Sequence, residues 1–200
     1  MEIKIKKKGK TNKYKFISKW SDVTLENWIK LIDLETGSKT KQAEETIATL
    51  SNIPRKLIKE LGINDVALIM SGLAEMQSKK RTKLLKLITV NGKEYGFHPN
   101  LNEITLGEYA DIEHYIKLGI EKQMPEIMAV LYRPVVERKN NVYTIEAYNG
   151  NISIRAEEFK KMSAEQVQSA LVFFYHLGKK LSKILPFVLT QGVKNIQKQL

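Results

Sequence analysis

The sequence predicts an α+β fold, mainly α-helical, in two tandem pseudo-repeats, each a β-hairpin followed by several helices. Three observations carry this reading: an ungapped match between the two halves, an Asn-Gly turn, and apolar stripes at helical spacing. The match sets Tyr14, Phe16, Trp20, Val23, Thr24 and Trp28 onto Tyr95, Phe97, Leu101, Ile104, Thr105 and Tyr109 at one constant offset (95 − 14 = 81; 105 − 24 = 81). Later blocks need gaps. Ile47 to Pro54 falls on Ile127 to Pro134 (134 − 54 = 80), and Ile58 to Leu73 on Phe159 to Phe174 (159 − 58 = 101). The second copy therefore carries about twenty additional residues after Pro134. The organisation expected is 1–78 for the first copy, 79–83 for a basic joint, 84–185 for the second copy with an insert near 135–155, and 186–200 for a last helix.

In chain order, Ile3 and Ile5 alternate with lysines as a strand with one wet face. A turn over residues 8–12 leads to a second strand at Tyr14–Ile17. Thr24 is placed to cap a helix bearing Leu25, Trp28, Ile29, Leu31 and Ile32, which stops near Gly37. Lys39–Leu50 forms the next helix, Pro54 opens a short one, and Asn64-Asp65 cap a fourth with Val66, Ile69, Met70, Leu73 and Met76 inward. The second half begins with a hairpin over Leu85–His98, turning at Asn91-Gly92, because Asn-Gly supplies both positive-φ positions of a type I′ turn. Thr105 caps a helix to about Gly119, and a helix over Pro125–Tyr132 is stopped by Arg133-Pro134. A strand follows around Tyr143–Tyr148, with room for a partner strand before or after it, then a short helix over Arg155–Met162. Ser163 to Gln166 has the form of a capping box opening a helix to about Leu185, where Pro186 ends it.

Composition bounds the function. With 42% hydrophobic residues the chain can bury a core. There is no cysteine, hence no disulfide framework and no thiol chemistry. No apolar run reaches the ~20 residues of a membrane span, and the first residues lack the apolar region of a signal peptide. The net charge of +11 is concentrated at Lys4–Lys15, around Lys79 to Lys86, and at Lys179 to Lys183. Such clusters suit solvated faces, an acidic protein partner or a phosphate backbone.

Catalytic patterns do not assemble. His98, His114 and His176 fall on different elements with no ligand at i+3 or i+4, so no local metal site is expected, and no cofactor. Thr36-Gly37-Ser38-Lys39-Thr40 lacks the upstream glycine of a phosphate loop and follows a helix. Glu108, Asp111 and Glu113 are expected to be solvated near the positive end of their helix. Contact residues are easier to find. Ala170–Leu177 is apolar around most of a helix, and Tyr132-Arg133 is an aromatic–arginine pair at a helix end. The expected partner-binding residues are Leu171, Phe174, Tyr175, Leu181, Tyr132 and Arg133. The alternative is nucleic-acid contact through Lys6, Lys7, Lys8, Lys10, Lys79, Lys80 and Arg81, with Tyr14 and Phe16 as stacking platforms.

Three segments carry a resemblance: Ile104-Thr-Leu-Gly-Glu-Tyr109, Met128-Ala-Val-Leu-Tyr-Arg-Pro134 and Tyr143-Thr-Ile-Glu-Ala-Tyr148. With Thr24-Leu-Glu-Asn-Trp28 and Ile47 to Pro54, they resemble small, mostly helical virion-assembly proteins of tailed bacteriophages, among them tail-assembly chaperones and small connector or tail components. That resemblance implies a non-enzymatic protein whose partners are other particle or assembly proteins, or a second copy of itself. It places the chain in the bacterial host cytoplasm during assembly, or in the virion.

Overall fold

A computed structural model describes residues 2–7, 10–34, 38–78, 83–140 and 142–170. The fold is mixed, with helices dominating over two small sheets. Its described residues divide into two units, those within 2–78 with 163–165 and those within 83–162 with 166–170.

In the first unit, β1 (Glu2–Lys7) and β2 (Lys10–Lys15) form an antiparallel hairpin in which Ile3 pairs with Tyr14 and Lys7 with Lys10. The second strand thus starts earlier than Tyr14, and Thr11 and Asn12 are in the ladder rather than in a turn. A 3₁₀ turn (Trp20–Asp22) leads to α1 (Leu25–Asp33), whose cap is Thr24: its Oγ1 accepts from the Asn27 amide at 3.2 Å. Next come α2 (Lys39–Leu50), α3 (Arg55–Ile58) and α4 (Ile63–Ser78). Asn64 and Asp65 lie inside the first turn of α4 instead of capping it, since the chain is already helical at Ile63. The buried core gathers Phe16, Val23, Ile47, Leu50, Ile58 and Leu73, with Ile3, Ile5 and Tyr14 packed against it. Ala164 joins that core, where its amide donates to the Val23 carbonyl at 2.6 Å.

The second unit is built on a four-stranded antiparallel sheet in the order β3 (Leu87–Val90), β4 (Lys93–Phe97), β5 (Tyr132–Lys139), β6 (Val142–Ile145). Asn91 and Gly92 turn the first hairpin at φ 50° and 77°, as a type I′ turn requires. Between β4 and β5 lie α5 (Leu106–Gly119), capped by Thr105, and α6 (Met124–Leu131); α7 (Ile152–Phe159) follows β6. Every residue of α6 except Glu126 is buried, which makes it the unit's central helix. Tyr95, Phe97 and Tyr132 share the inner face of the sheet. The Phe159 ring meets Tyr95 edge-on at 4.8 Å between centroids, and Phe97 meets Tyr132 at 5.1 Å. Residues 164–170 are helical; the remainder of the long C-terminal helix expected from the sequence lies outside the described residues.

One strand begins earlier than expected. Arg133-Pro134 reads as a helix stop, yet α6 ends at Leu131 and Tyr132 opens β5. The ring is tolerated because Pro134 sits where pairing passes from one neighbour to the other. It is the last partner of β4, opposite Tyr95, and the β6 ladder begins at Val135. A bulge between Val135 and Glu137 follows. The expected strand around Tyr143 is β6, but it ends at Ile145, and Glu146 to Tyr148 run on without strand structure.

Several backbone bonds recur at fixed spacing in the two units. The Ile17 amide donates to Leu50 O at 2.9 Å and the His98 amide to Leu131 O at 2.8 Å, both shifted by 81 (98 − 17; 131 − 50). Phe16 bridges Ser51 as Phe97 pairs with Tyr132, at the same shift. At a shift of 101 (160 − 59), the bonds Lys59→Arg55, Glu60→Leu57 and Leu61→Ile58 correspond to Lys160→Ala156, Lys161→Glu158 and Met162→Phe159. The bonds and bridges at the first shift extend as far as Ser51 and Tyr132.

Gly96 has no room for a side chain. A Cβ there would lie 2.4 Å from the Tyr143 ring and 2.8 Å from Ile145 Cγ2. Gly96→Ala is expected to lower stability by about 1–3 kcal/mol in urea denaturation. Gly72→Ala, in the exposed middle of α4 with nothing within 4 Å, should raise it by roughly 0.5–1 kcal/mol.

Candidate functional site

The densest group of chemistry-bearing side chains lies in the second unit, around Glu108. The Thr105 cap places it there. Thr105 Oγ1 accepts from the Glu108 amide at 3.3 Å, while Glu108 Oε2 accepts from Thr105 N and Oγ1, each at 2.7 Å. This reciprocal capping box folds the carboxylate back over the first turn of α5 and buries it to 1% exposure. The expected solvated carboxylate is therefore one of the most buried groups in the protein. Its partner comes from β5, where Arg133 Nη2 approaches Glu108 Oε1 at 2.8 Å. The contact is an ion pair off the hydrogen-bond line, since Oε1 and Arg133 Nε have no directed partner among the protein atoms. His98, just beyond β4, brings Nε2 to 3.6 Å from the same oxygen.

Tyr148 closes the group. Its ring lies 5.8 Å from the Arg133 guanidinium, and its hydroxyl donates to Asp111 on α5. Arg155 on α7 donates from Nε to the Ala129 carbonyl at 2.8 Å, satisfying a free carbonyl at the negative end of α6. A second tyrosine–carboxylate pair, Tyr95 with Glu158, ties β4 to α7, and the Tyr143 hydroxyl donates to Phe97 O at 2.7 Å.

Burial shapes the titration. Desolvation raises the hydroxyls of Tyr95 and Tyr148 well above the usual range, reinforced by their hydrogen bonds to Glu158 and Asp111, so both remain donors. Desolvation lowers Arg133 and Arg155, partly offset by Glu108 and Glu146 respectively; an arginine stays cationic under any ordinary condition. The His98 imidazole is lowered, first by desolvation, then against the pull of Glu108 and with the push of Arg133. Chemically, the group is a set of mutually compensated charges holding α5, β5 and the Tyr148 segment together. Glu108 offers a substrate no approach at 1% exposure. Among the described residues no group of three or more His, Asp or Glu could hold a metal ion.

The residues expected to bind partners are not gathered here as a surface. Tyr132 caps the end of α6, as expected, but Tyr132 and Arg133 also open β5, and both are buried. Tyr132 donates to Leu85 O at 2.7 Å and Arg133 faces Glu108. Leu171, Phe174, Tyr175 and Leu181 lie outside the described residues, as do Lys8, Lys79, Lys80 and Arg81. Lys6 and Lys7 end β1 and Lys10 opens β2. Of the two proposed stacking platforms, Phe16 is 5% exposed in the first core and Tyr14 packs against it. His114 is exposed beside Tyr115; His176 lies outside the described residues. Sequence reading missed the Glu108–Arg133–Tyr148 group, although Thr105 with Glu108 three residues on carries the capping-box signature. No protein-family model, no curated protein and no solved structure matches the chain.

Two outcomes follow. Tyr148→Phe keeps the ring over Arg133 but removes the bond to Asp111, and should cost about 1 kcal/mol by urea denaturation. His98, whose folded value lies below the ordinary 6.5, contributes stability that is fully present above that value. It is lost as the pH falls below 6.5 toward the folded value, because the unfolded chain then binds the extra proton. The urea midpoint should drop between pH 7.5 and 5.5, and His98→Gln should remove part of that drop.

Proposed function

We propose that the chain is a non-enzymatic protein of tailed-bacteriophage virion assembly that works by protein–protein contact, as a tail-assembly chaperone or a small connector or tail component. It does so on a scaffold of two copies of one module. The duplication is supported by the caps at Thr24 and Thr105 and by the backbone bonds recurring at shifts of 81 and 101. The phage assignment rests on the resemblance of the Ile104, Met128 and Tyr143 segments.

The observation that carries the contact reading is the character of the inserted stretch. Its polar aromatics turn inward, Tyr143 over Gly96 and Tyr148 over Arg133, while Val136, Val142 and Ile154 stand 67%, 73% and 66% exposed. An insertion that hides its hydroxyls and shows its valines is suited to an apolar partner surface, whether that of another particle protein or a second copy. Nucleic-acid contact through the basic hairpin is the weaker reading, since Phe16 is buried in the first core and Tyr14 packs against it.

The test is affinity purification of the tagged chain from cells producing the virion. A particle or assembly protein should be retained at high salt and lost with Val136→Asp/Val142→Asp. Recovery of a clean monomer would contradict the proposal. So would nucleic acid released steeply by salt.

A further inference from the structure

The geometry points to a docking groove on the first unit for an acidic amphipathic helix of a partner protein. This rests on the contact reading and adds to the face at Val136 and Val142 a second place, with a stated partner chemistry. The groove, about 570 Å³, runs between one face of α2 and the start of α4. Its floor is Ile47 and Ile58, both buried; Ala43, Leu61 and Val66 form its half-buried walls; and Ile63 stands on its rim at 80% exposure. An isoleucine so exposed beside an apolar trough extends the surface that an apolar partner would cover.

Charge selects the partner. Lys39 and Lys59 border the groove, and a basic cleft with Lys41, Arg55 and Lys56 continues from it. The two acids there are each matched by a cation: Glu44 lies 3.5 Å from Lys59, and Glu45 binds Arg55 through both oxygens. Lys39, Lys41 and Lys56 are left as an exposed excess of positive charge. Acidic flanks on the incoming segment would meet them.

Backbone chemistry selects the conformation. Every lining residue belongs to α2, α3, α4 or the turn between α3 and α4, so no strand edge is available for main-chain pairing. An incoming segment must therefore satisfy its own amides and carbonyls while presenting an apolar stripe, which a helix does. The lysines alone would fit a nucleic acid, but the floor of Ile47 and Ile58 offers phosphates and bases no polar group, which favours the peptide.

The experiment titrates the full chain into a fluorescein-labelled designed helix with leucines at i, i+3, i+4 and i+7 and glutamates on its flanks. The same helix with lysines for glutamates and a labelled single-stranded oligonucleotide serve as comparators. The glutamate helix should bind, and its lysine version should bind at least about tenfold more weakly. Lys39→Glu/Lys41→Glu/Lys56→Glu and Ile63→Glu should each weaken binding by about tenfold or more. All four positions are exposed, so circular-dichroism melting should be unchanged. No binding of the glutamate helix, or equal binding to the variants, overturns the proposal. An oligonucleotide that binds wild type and is lost in the lysine variants also overturns it, reassigning the face to phosphate. If the variants still retain the particle protein recovered by wild type, the groove is wrong and the contact reading stands. If wild type retains none, the contact reading itself falls.

Discussion

The second unit depends on one buried carboxylate. Taking Glu108 out of water costs several kcal/mol unless its charge and lone pairs are matched. The Thr105 cap hydrogen-bonds one oxygen, and the Arg133 charge lies against the other as an ion pair. Arg133 is itself 5% exposed, so the strand carrying it is fixed beside α5. Tyr148 then lies over the guanidinium and bonds to Asp111, which draws the segment after β6 onto the same helix. A helix start, a central strand and an inserted segment are thus held by one set of compensated charges.

The first unit solves the same local problems without charge. Asn27, three residues after the Thr24 cap, donates to the Thr49 carbonyl at 3.5 Å, and Ser51 Oγ donates to Ile47 O at 2.6 Å, so free carbonyls at the end of α2 find neutral partners. In the second unit the end of α6 receives Arg155 instead. The caps, the strand aromatic and the amide-to-carbonyl tie after it recur in both. In the second unit, Tyr143 and Ile145 of β6 occupy the space left by Gly96.

Local features were legible in the sequence because their causes are local. Thr24 and Thr105 cap helices through residues three positions away, and Asn91-Gly92 fixes a turn by its own backbone. The α2 boundaries follow from Ser38 as cap and the change of conformation at Ser51. The missed features have distant causes. Pro134 reads as a stop, and only the hand-over of pairing from β4 to β6 explains why a strand accepts it. Glu108 reads as a solvated helix-start acid, because Arg133 lies 25 residues away (133 − 108) at a point that reads as a helix stop. The groove of the first unit is likewise invisible in any one stripe, since α2, α3 and α4 each contribute part of it.

The most direct test of this account is a double-mutant cycle on Glu108 and Arg133, read by urea denaturation. Glu108→Leu and Arg133→Met should each cost about 3–5 kcal/mol by stranding the other charge in the interior. The double variant should lose at least about 2 kcal/mol less than the two losses added together. Additivity within about 0.5 kcal/mol would contradict the claim that this pair holds the second unit together.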